Sequence, residues 1–598
     1  MAHGTSEKPV ETIDTIEDAS SNSTTSHDLH VIDQTVNAAA LPDGYWRSRF
    51  FIGSSLAMGL SLLATVSAFG YAAPVLGLIN ADIGPDNDYI WVSLVYTVSL
   101  SVSLVIVGRI TDIFGRRYFV ISFTALGVLG SIVCATADSI KVLIGGNVLL
   151  GVSTAVGMSF PFLMGELVPI RYRYAASAAL YILLLPGSGF GPMVSTAMIE
   201  YHPGVGWRGV YYILIGYELL ALVLWVTCYF PPNFAQKHGS DKKWDWVKNF
   251  DYVGMFLYSA GFVLFLFGLS QGGSIYPWSS PQVVSFIVVG FATLVAFVFW
   301  ECFMPLKEPF VPMSLFRDLR WTAACVLVGI GAGVYYAFAI VWPQQVATVY
   351  ASGNAIEDSA VSSIIGAAVI AGQVMGGFLA TKIGHIRYQL MCAFACAGIF
   401  LGCVAVATPY NKTTAAVLVF LGLFATGWNE TLAIATITVT LKDQKDIGSA
   451  GGVAGGMRMG ISAILSAVYT AILSTRLAET IPAQMPPALV NAGLPASSVA
   501  DFITAFTSGS TTALKGVNGI TGAIIAAGAT AYKEASSDAY RTVFLSTIAI
   551  NGLGIILTFF VPDPDLNTPA MSDVSAPLHG KGMGPSLEEK KLGDSEMA

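Results

Sequence analysis

Residues 108–117 read Gly-Arg-Ile-Thr-Asp-Ile-Phe-Gly-Arg-Arg, and they separate two runs of mostly apolar residues. A second stretch of the same design, Gly-Phe-Leu-Ala-Thr-Lys-Ile-Gly-His-Ile-Arg, stands at residues 377–387 between two further apolar runs. Both stretches place two glycines seven positions apart, with a basic residue within three positions after the second glycine. The repetition predicts two halves of parallel design, each with a tight turn at this point.

The chain as a whole is far too apolar for a soluble protein. It has 598 residues, of which 54% are apolar and 11% are charged, whereas soluble domains carry roughly 25% charged residues. The apolar residues come in runs of about 20, the length of helix that crosses a hydrocarbon core of about 30 Å. This pattern predicts an all-α polytopic membrane protein, and no basic patch is large enough to indicate nucleic acid binding.

Fourteen apolar runs are long enough to be spans. Their approximate positions are 50–71, 89–108, 118–137, 142–164, 175–198, 210–230, 253–271, 283–303, 321–342, 359–380, 388–408, 414–438, 447–475 and 541–561. Spans 1–6 and 9–14 form two six-helix halves, with spans 7 and 8 inserted between them. The predicted domains are a disordered tail (1–45), an N-terminal half (46–230), an inserted pair (231–305), a C-terminal half (306–561) and a polar tail (562–598).

The charges of the loops predict the orientation. One set of loops carries most of the Lys and Arg residues, whereas the short loops on the other side carry only Lys141, Arg208 and Lys412. The positive-inside rule therefore places both termini in the cytoplasm. The plasma membrane is expected, with a vacuolar or vesicle membrane as the alternative. Residues 476–540 are expected to form a long, partly helical external loop that lies on the membrane or over the mouth of the protein, although 515–533 could be a further span.

Three ionisable residues fall within spans, where a charge is costly and indicates function. Glu430 and Arg458 lie at matching depths in consecutive spans, so we expect them to face each other or a shared cavity. A proton and a substrate could then compete for one charged site, or the two residues could form a static structural pair. Glu218 in span 6 is either a second proton carrier or a residue at the rim. No histidine lies in mid-span, so a proton relay would use carboxylates.

Aromatic and amide side chains predict the nature of the ligand. Tyr335, Tyr336 and Gln344 cluster on the outer half of span 9, and Gln373 lies within span 10. Such a mixture suits a bulky, amphipathic organic compound. Packing against lipid is the alternative for each of these residues.

The stretch 108–117 resembles the signature loop of the major facilitator superfamily, G-x-x-x-D-[RK]-x-G-R-[RK]. The matching residues are Gly108, Asp112, Gly115, Arg116 and Arg117. Ile113 stands where the family usually has a basic residue.

The resemblance implies a major facilitator fold with a cytoplasmic gate, in which Asp112 pairs with an arginine. Arg171 or Arg173, in the next cytoplasmic loop, is the expected partner, and Glu166 is expected to join the same charge network. A positive-inside anchor without a latch is the alternative.

Two later stretches narrow the resemblance. Gly187, Gly191 and Pro192 in span 5 resemble the G-x-x-x-G-P antiporter motif of drug:H⁺ exporters, although the glycine pair that usually follows is missing. Residues 428–430 (Trp-Asn-Glu) and 447–482 resemble the fungal fourteen-span branch, which contains trichothecene efflux pumps and siderophore–iron transporters. Asn429 joins Glu430 as a coupling or substrate candidate on this ground.

The sequence thus predicts a proton-coupled secondary transporter that exports bulky organic compounds such as toxins, secondary metabolites or drugs. Siderophore–iron uptake is the alternative, and a non-transporting sensor is a remote one. No enzyme is expected, because the sequence shows neither a nucleophile motif nor a metal-ligand cluster, and no P-loop for nucleotide binding is present. The expected partners are a small organic substrate and the lipid bilayer, with a monomeric chain, no cofactor and no metal.

Overall fold

A computed structural model describes residues 36–37, 44–86, 89, 91–231, 242–273, 276–441, 447–507, 511–563 and 573–574. The predicted tails, 1–45 and 562–598, lie mostly outside the described residues. The helices are α1 (Arg49–Ile83), α2 (Trp91–Phe114), α3 (Arg117–Ala135), α4 (Ile140–Met158), α5 (Phe160–Leu167), α6 (Arg173–Ile182), α7 (Gly191–Tyr201), α8 (Arg208–Cys228), α9 (Lys243–Asn249), α10 (Tyr252–Gln271), α11 (Pro281–Phe303), α12 (Leu319–Val349), α13 (Ala355–Ser362), α14 (Ile364–Ile383), α15 (Ile386–Cys403), α16 (Lys412–Thr440), α17 (Ile447–Asn491), α18 (Val499–Thr507), α19 (Thr511–Lys515) and α20 (Gly522–Thr558). Two short strands, β1 (Val36–Asn37) and β2 (Asp573–Val574), pair antiparallel.

The number of spans agrees with the sequence. Thirteen segments of the described chain are long and apolar enough to cross a membrane. The remaining predicted span, 175–198, consists of α6 and α7 with a π-helical turn at Leu185–Gly189 between them. Neither piece alone has the length of a span. The prediction of an all-α polytopic fold is confirmed, and one of its fourteen crossings is a broken helix.

The helices pack as two groups. Helices of one group contact helices of the other along a boundary that we call the seam. Helices α1–α8 pack on one another, and so do α12–α17 and α20. Across the seam, α2 packs on α17 and α6 packs on α14. The second span of each group therefore meets the fifth span of the other group. A two-fold relation between the halves requires this arrangement, in line with the repeat in the sequence.

The repeated glycines lie at this seam. A Cβ on Gly108 would come within 2.6 Å of the carbonyl oxygen of Gly448, and one on Gly377 would come within 2.6 Å of the Cβ of Ala178. The second glycine of each stretch, Gly115 or Gly384, turns the chain with a φ of 91° or 67°. The first glycine of each stretch thus permits close helix contact, and the second permits the turn.

The helix bundle has two ends, which we call the signature end and the projection end. The signature end carries the turn at Gly115, and the projection end is the opposite one, where α17 ends and α20 begins. The chain enters and leaves the bundle at the signature end. There the hydroxyl of Tyr45 donates to the carbonyl of Leu167 (2.9 Å), and Arg387 Nε donates to the carbonyl of Val561 (2.7 Å). The first and last described parts of the bundle therefore lie on one side, as an even number of spans requires.

The inserted pair lies against one side of the seam. Helices α10 and α11 pack on each other, and α10 also contacts both α2 and α17. α11 is the outer member, with exposed side chains such as Phe291 and Phe299. Such an apolar outer face suits contact with lipid.

Two helices extend well beyond the membrane. α17 has 45 residues and α20 has 37, which correspond to about 67 Å and 55 Å at 1.5 Å per residue. The sequence predicted a proline-rich loop after residue 475, but α17 continues through Pro482, Pro486 and Pro487. The carbonyls freed by these prolines belong to residues 478, 482 and 483, which are exposed, so water can satisfy them.

These extensions form a small helical projection of residues 476–540 with its own core. The core residues are Met485, Leu489, Leu494, Val499, Phe502, Ala505, Val517, Ile524 and Ala531. Gln484 Nε2 also donates to Asp538 Oδ2 (2.7 Å) and joins the two long helices. The candidate fifteenth span, 515–533, belongs to this projection, because residues 522–533 are the first turns of the same helix as the last span.

We predict that Phe502→Ala loosens the projection. Phe502 is fully buried, and truncating a core phenylalanine costs about 3–5 kcal/mol. Limited proteolysis of the purified protein should cleave within residues 485–531 much faster in this variant. The exposed neighbouring variant Thr504→Ala is the control, and equal cleavage of the two would contradict an independent core.

Candidate functional site

A buried ion pair stands in the centre of the molecule. Arg458 Nη2 on α17 contacts Glu430 Oε1 on α16, and Gln373 Nε2 donates to Glu430 Oε2 (3.1 Å). Glu430 is 10 residues from the end of α16 and Arg458 is 11 residues from the start of α17. Both therefore lie about 15 Å from the signature end. The expected facing pair is present, with Gln373 as a third member.

The pair lines a pocket between the two halves. Phe162 and Tyr181 come from the first half, and Tyr335, Tyr336 and Gln373 come from the second. The guanidinium carbon of Arg458 lies 5.9 Å from the centre of the Tyr336 ring, and its Nη1 is 3.7 Å from Met158 Sδ. The pocket has a volume of only about 80 Å³. A water molecule takes about 30 Å³ in the liquid, so in this conformation the pocket has room for a few water molecules and not for a bulky compound.

The break in span 5 reaches the same pocket. Gly187 and Gly191 pack against α1, where a Cβ on Gly191 would be 2.8 Å from the carbonyl oxygen of Gly70. Pro192 is the second residue of α7 and lies in its first turn, shortly after the π-helical turn. Within that turn, the hydroxyl of Ser188 is 2.8 Å from the hydroxyl of Tyr335. The antiporter-like residues thus shape a kink that links the first half to a pocket residue of the second.

Three other candidates lie away from this pocket. Glu218 on α8 is buried against Gly127 of α3 within the first half, and its Oε2 finds no hydrogen-bond partner among the described residues. Asn429 points towards Gly331 on α12, and neither of its amide atoms finds a partner there. Gln344 lines a separate cavity nearer the projection end.

The signature end is sealed by charge and by close packing. Asp112 accepts hydrogen bonds from the backbone N–H and the hydroxyl of Ser449 at the start of α17. Arg116 pairs with Asp112 at 2.9 Å and with Glu166 at 2.7 Å. Burial disfavours the Arg116 cation, but the charges of Glu166 and Asp112 outweigh burial and hold the pKa of Arg116 above its ordinary value. Asp112 is thus a charged cap on a helix of the other half.

The partner that the sequence predicted for Asp112 is wrong. Arg171 is exposed and lies against the ring of Tyr172. Arg173 is buried and donates to the carbonyl of Thr438 (2.7 Å), so it crosses the seam at another point. The reason is proximity along the helix: Arg116 follows Asp112 by four residues and reaches it first.

Two further residues of the signature end make contacts that the sequence did not indicate. Arg117 donates to the carbonyls of Val226 and Tyr229 and thereby ties α3 to the end of α8 within the first half. Ser449 was not predicted at all. Its position in the first turn of a helix that follows a run of polar residues in the sequence is the signal that could have indicated it.

The fold and site together define a secondary transporter of the major facilitator class: two halves of six spans, a signature turn at the seam and a buried charged pair that lines a pocket between the halves. A family model described as fungal trichothecene efflux pump (TRI12) matches residues 16–572. The chain belongs to this family.

Named relatives agree with that assignment. The chain is 32% identical over 416 residues to "Trichothecene efflux pump TRI12" of Trichoderma arundinaceum, covering 68% of each chain. It is 29% identical over 535 residues to the protein of the same name from Fusarium sporotrichioides, covering 88% of this chain and 89% of the relative. It is also 29% identical to "MFS-type transporter prx5" of Penicillium rubens over 86% of this chain and 90% of the relative. The prediction of an efflux transporter is confirmed, and these relatives give no support to siderophore uptake.

We predict that Asp112→Asn opens the signature end. A hydrogen bond to a charged group contributes about 1.5–3 kcal/mol, so its loss should favour opening about ten- to a hundredfold. A cysteine in place of the buried Thr111 reports this opening through its rate of reaction with a maleimide in detergent. Arg171→Gln, which removes an exposed charge from the same end, should leave that rate unchanged. A Thr111→Cys rate that does not respond to Asp112→Asn would contradict the latch.

Proposed function

We propose that this protein exports a bulky organic metabolite by alternating access, and that proton binding at Glu430 drives the cycle. The observation that carries the proposal is the Glu430–Arg458 pair in a pocket between the halves, behind a sealed signature end. Carboxylates within membrane spans mark ion pathways and proton relays. Membership of an efflux pump family supports the direction of transport.

Protonation of Glu430 would change the contact between the halves. Glu430, Gln373 and Arg458 all belong to the second half, whereas Met158, beside Arg458, belongs to the first. A proton on Glu430 removes the negative charge that holds Arg458, so the guanidinium must find another partner or draw in water. Either change alters the packing at the seam. The unprotonated pair then corresponds to the state described here, which is closed at the signature end.

We assign the signature end to the cytoplasm. Basic side chains concentrate there, including Arg109, Arg116, Arg117, Arg171, Arg173, Lys382 and Arg387, and cytoplasmic loops are enriched in such residues. Both chain termini are then cytoplasmic, and the protein faces outward in this state. We propose the plasma membrane as its location, with a vacuolar or vesicle membrane as the alternative outcome of imaging.

A single chain suffices for this cycle. Both walls of the pocket come from the same chain, so we propose that the working unit is a monomer in the bilayer. The energy comes from the proton gradient, and we propose that no cofactor or metal takes part.

A flux assay tests the proposal. Yeast that lacks its own major drug exporters and siderophore transporters would express the protein and receive labelled compounds with and without a protonophore. Because two relatives are named for trichothecenes, a labelled trichothecene is the first compound to test. We expect protonophore-sensitive loss of this compound from the cells and no gain of ferric siderophore. Trichothecene loss that ignores the protonophore would contradict proton coupling.

We predict that Glu430→Gln abolishes active export while the protein still reaches the membrane. The amide keeps the shape of the side chain but cannot exchange a proton, so export should fall about a hundredfold. The double variant Glu430→Gln/Arg458→Gln leaves no unpaired buried charge, and it separates a folding defect from a coupling defect. Glu479→Gln is the matched control, because it breaks the exposed Arg476–Glu479 pair on α17. Export that survives Glu430→Gln would contradict the proposed role.

A further inference from the structure

A second cavity lies between the charged pocket and the projection end. It has a volume of about 580 Å³ and is enclosed by α1, α2, α10, α12 and α17. Ligand sites of proteins typically occupy about 300–1,000 Å³. The charged pocket, at about 80 Å³, is too small for such a ligand. We call the larger cavity the uncharged chamber, and among the described residues its walls hold no Asp, Glu, Lys, Arg or His.

The polar groups of the uncharged chamber are mainly hydroxyls. Ser462, Ser466, Thr470 and Ser474 recur every fourth residue on α17 and therefore form one stripe along its face. Ser93, Thr97 and Ser101 recur in the same way on α2, across the chamber. The remaining walls are largely apolar.

Several of these hydroxyls donate their protons to backbone carbonyls of their own helix. Ser462 donates to the carbonyl of Arg458 (2.7 Å) and Thr470 to that of Ser466 (2.8 Å). On the other wall, Thr97 donates to Leu94 (2.9 Å) and Ser101 to Thr97 (2.6 Å). A hydroxyl whose proton is engaged offers only its oxygen lone pairs. These four hydroxyls therefore present hydrogen-bond acceptors to the chamber and suit a molecule that carries O–H donors.

The inserted helix α10 is one wall of this chamber. It contributes Leu266, Leu269 and Ser270, and it packs tightly on α17, where a Cβ on Gly456 would lie 2.6 Å from the hydroxyl of Tyr258. Since α10 contacts both α2 and α17, it covers the seam between these helices, which would otherwise open to lipid.

The chamber and the charged pocket meet at one residue. Tyr336 lines both cavities, and Ser462 follows Arg458 by one helical turn. Whatever occupies the chamber is therefore within reach of the residues that contact the ion pair.

We propose that the uncharged chamber binds the transported compound as an uncharged, hydroxyl-bearing molecule, and that the inserted helix α10 forms part of its binding site. The inference rests on the proposed transport function and adds a location and a chemical class to it. A charged compound would enter this chamber without a counter-charge and would lose its hydration, which is costly. The inserted pair thereby acquires a role in substrate binding.

Filling the chamber tests the location. Ala467 lines the chamber, whereas the adjacent Val468 is exposed on the outer face of the same helix. Ala467→Phe should lower export of a labelled trichothecene about tenfold or more by occupying the space, and Val468→Phe should leave it unchanged. If the wild type exports the compound and Ala467→Phe exports it equally well, the chamber is not the binding site, and the proposed function still stands. No export by the wild type would overturn the proposed function for this compound.

A second measurement needs no transport. A cysteine at Ser466 in the purified protein is treated with neutral methyl methanethiosulfonate or with the anionic sulfonatoethyl reagent, and the adduct at residue 466 is quantified by mass spectrometry. The rate of each reagent at residue 466 is divided by its rate with a small thiol in solution. We expect this relative rate to be about tenfold higher or more for the neutral reagent than for the anionic one. Equal relative rates would overturn the uncharged character of the chamber, whatever the flux assay shows.

Discussion

A carboxylate and a guanidinium in the middle of a membrane protein can both stay charged only while they hold each other. Glu430 and Arg458 do so here, and the surrounding structure serves that contact. Gln373 satisfies the other carboxylate oxygen, and the small pocket around the pair leaves room for little more than water. In the proposed cycle, a proton on Glu430 would release Arg458, and the change would reach the seam through Arg458 and Tyr336.

The seam itself has two different ends. At the signature end, glycine contacts bring α2 against α17, and the charged cap of Asp112 on Ser449 fastens the two halves. The matching stretch of the second half has Thr381 where the first has Asp112, so the repeat reproduces the turn and the close packing but not the acid at that position. Towards the projection end, the uncharged chamber lies beside the seam. One conformation thus combines a closed signature end with a large cavity towards the projection end, as alternating access requires.

Much of this architecture was predictable from local patterns. The lengths of the apolar runs predicted the spans, and the depths of Glu430 and Arg458 predicted their contact, because helix geometry converts residue number into height. The partner of Asp112 was not predictable in the same way, since Ser449 is 337 residues away and its contact depends on how the halves dock. The placement of Glu218 in the first half depends on the rotation of α8, which apolar composition does not reveal. The continuation of α17 through its prolines was not predictable from the sequence, because a helix tolerates proline only where the freed carbonyls meet water, and that depends on tertiary packing.

If the Glu430–Arg458 pair converts proton movement into substrate movement, the protons that move with the substrate can be counted in proteoliposomes. Purified protein would be reconstituted with a pH-sensitive dye inside the vesicles, and a labelled trichothecene would be added without an imposed pH gradient. In the wild type, we expect substrate movement to drive protons in the opposite direction. In Glu430→Gln, where this side chain cannot ionise, we expect the dye signal to vanish, and a pH gradient should no longer drive substrate movement. Substrate movement with no change of internal pH would contradict the account, because the Glu430–Arg458 pair would then be a structural contact and not the coupling site.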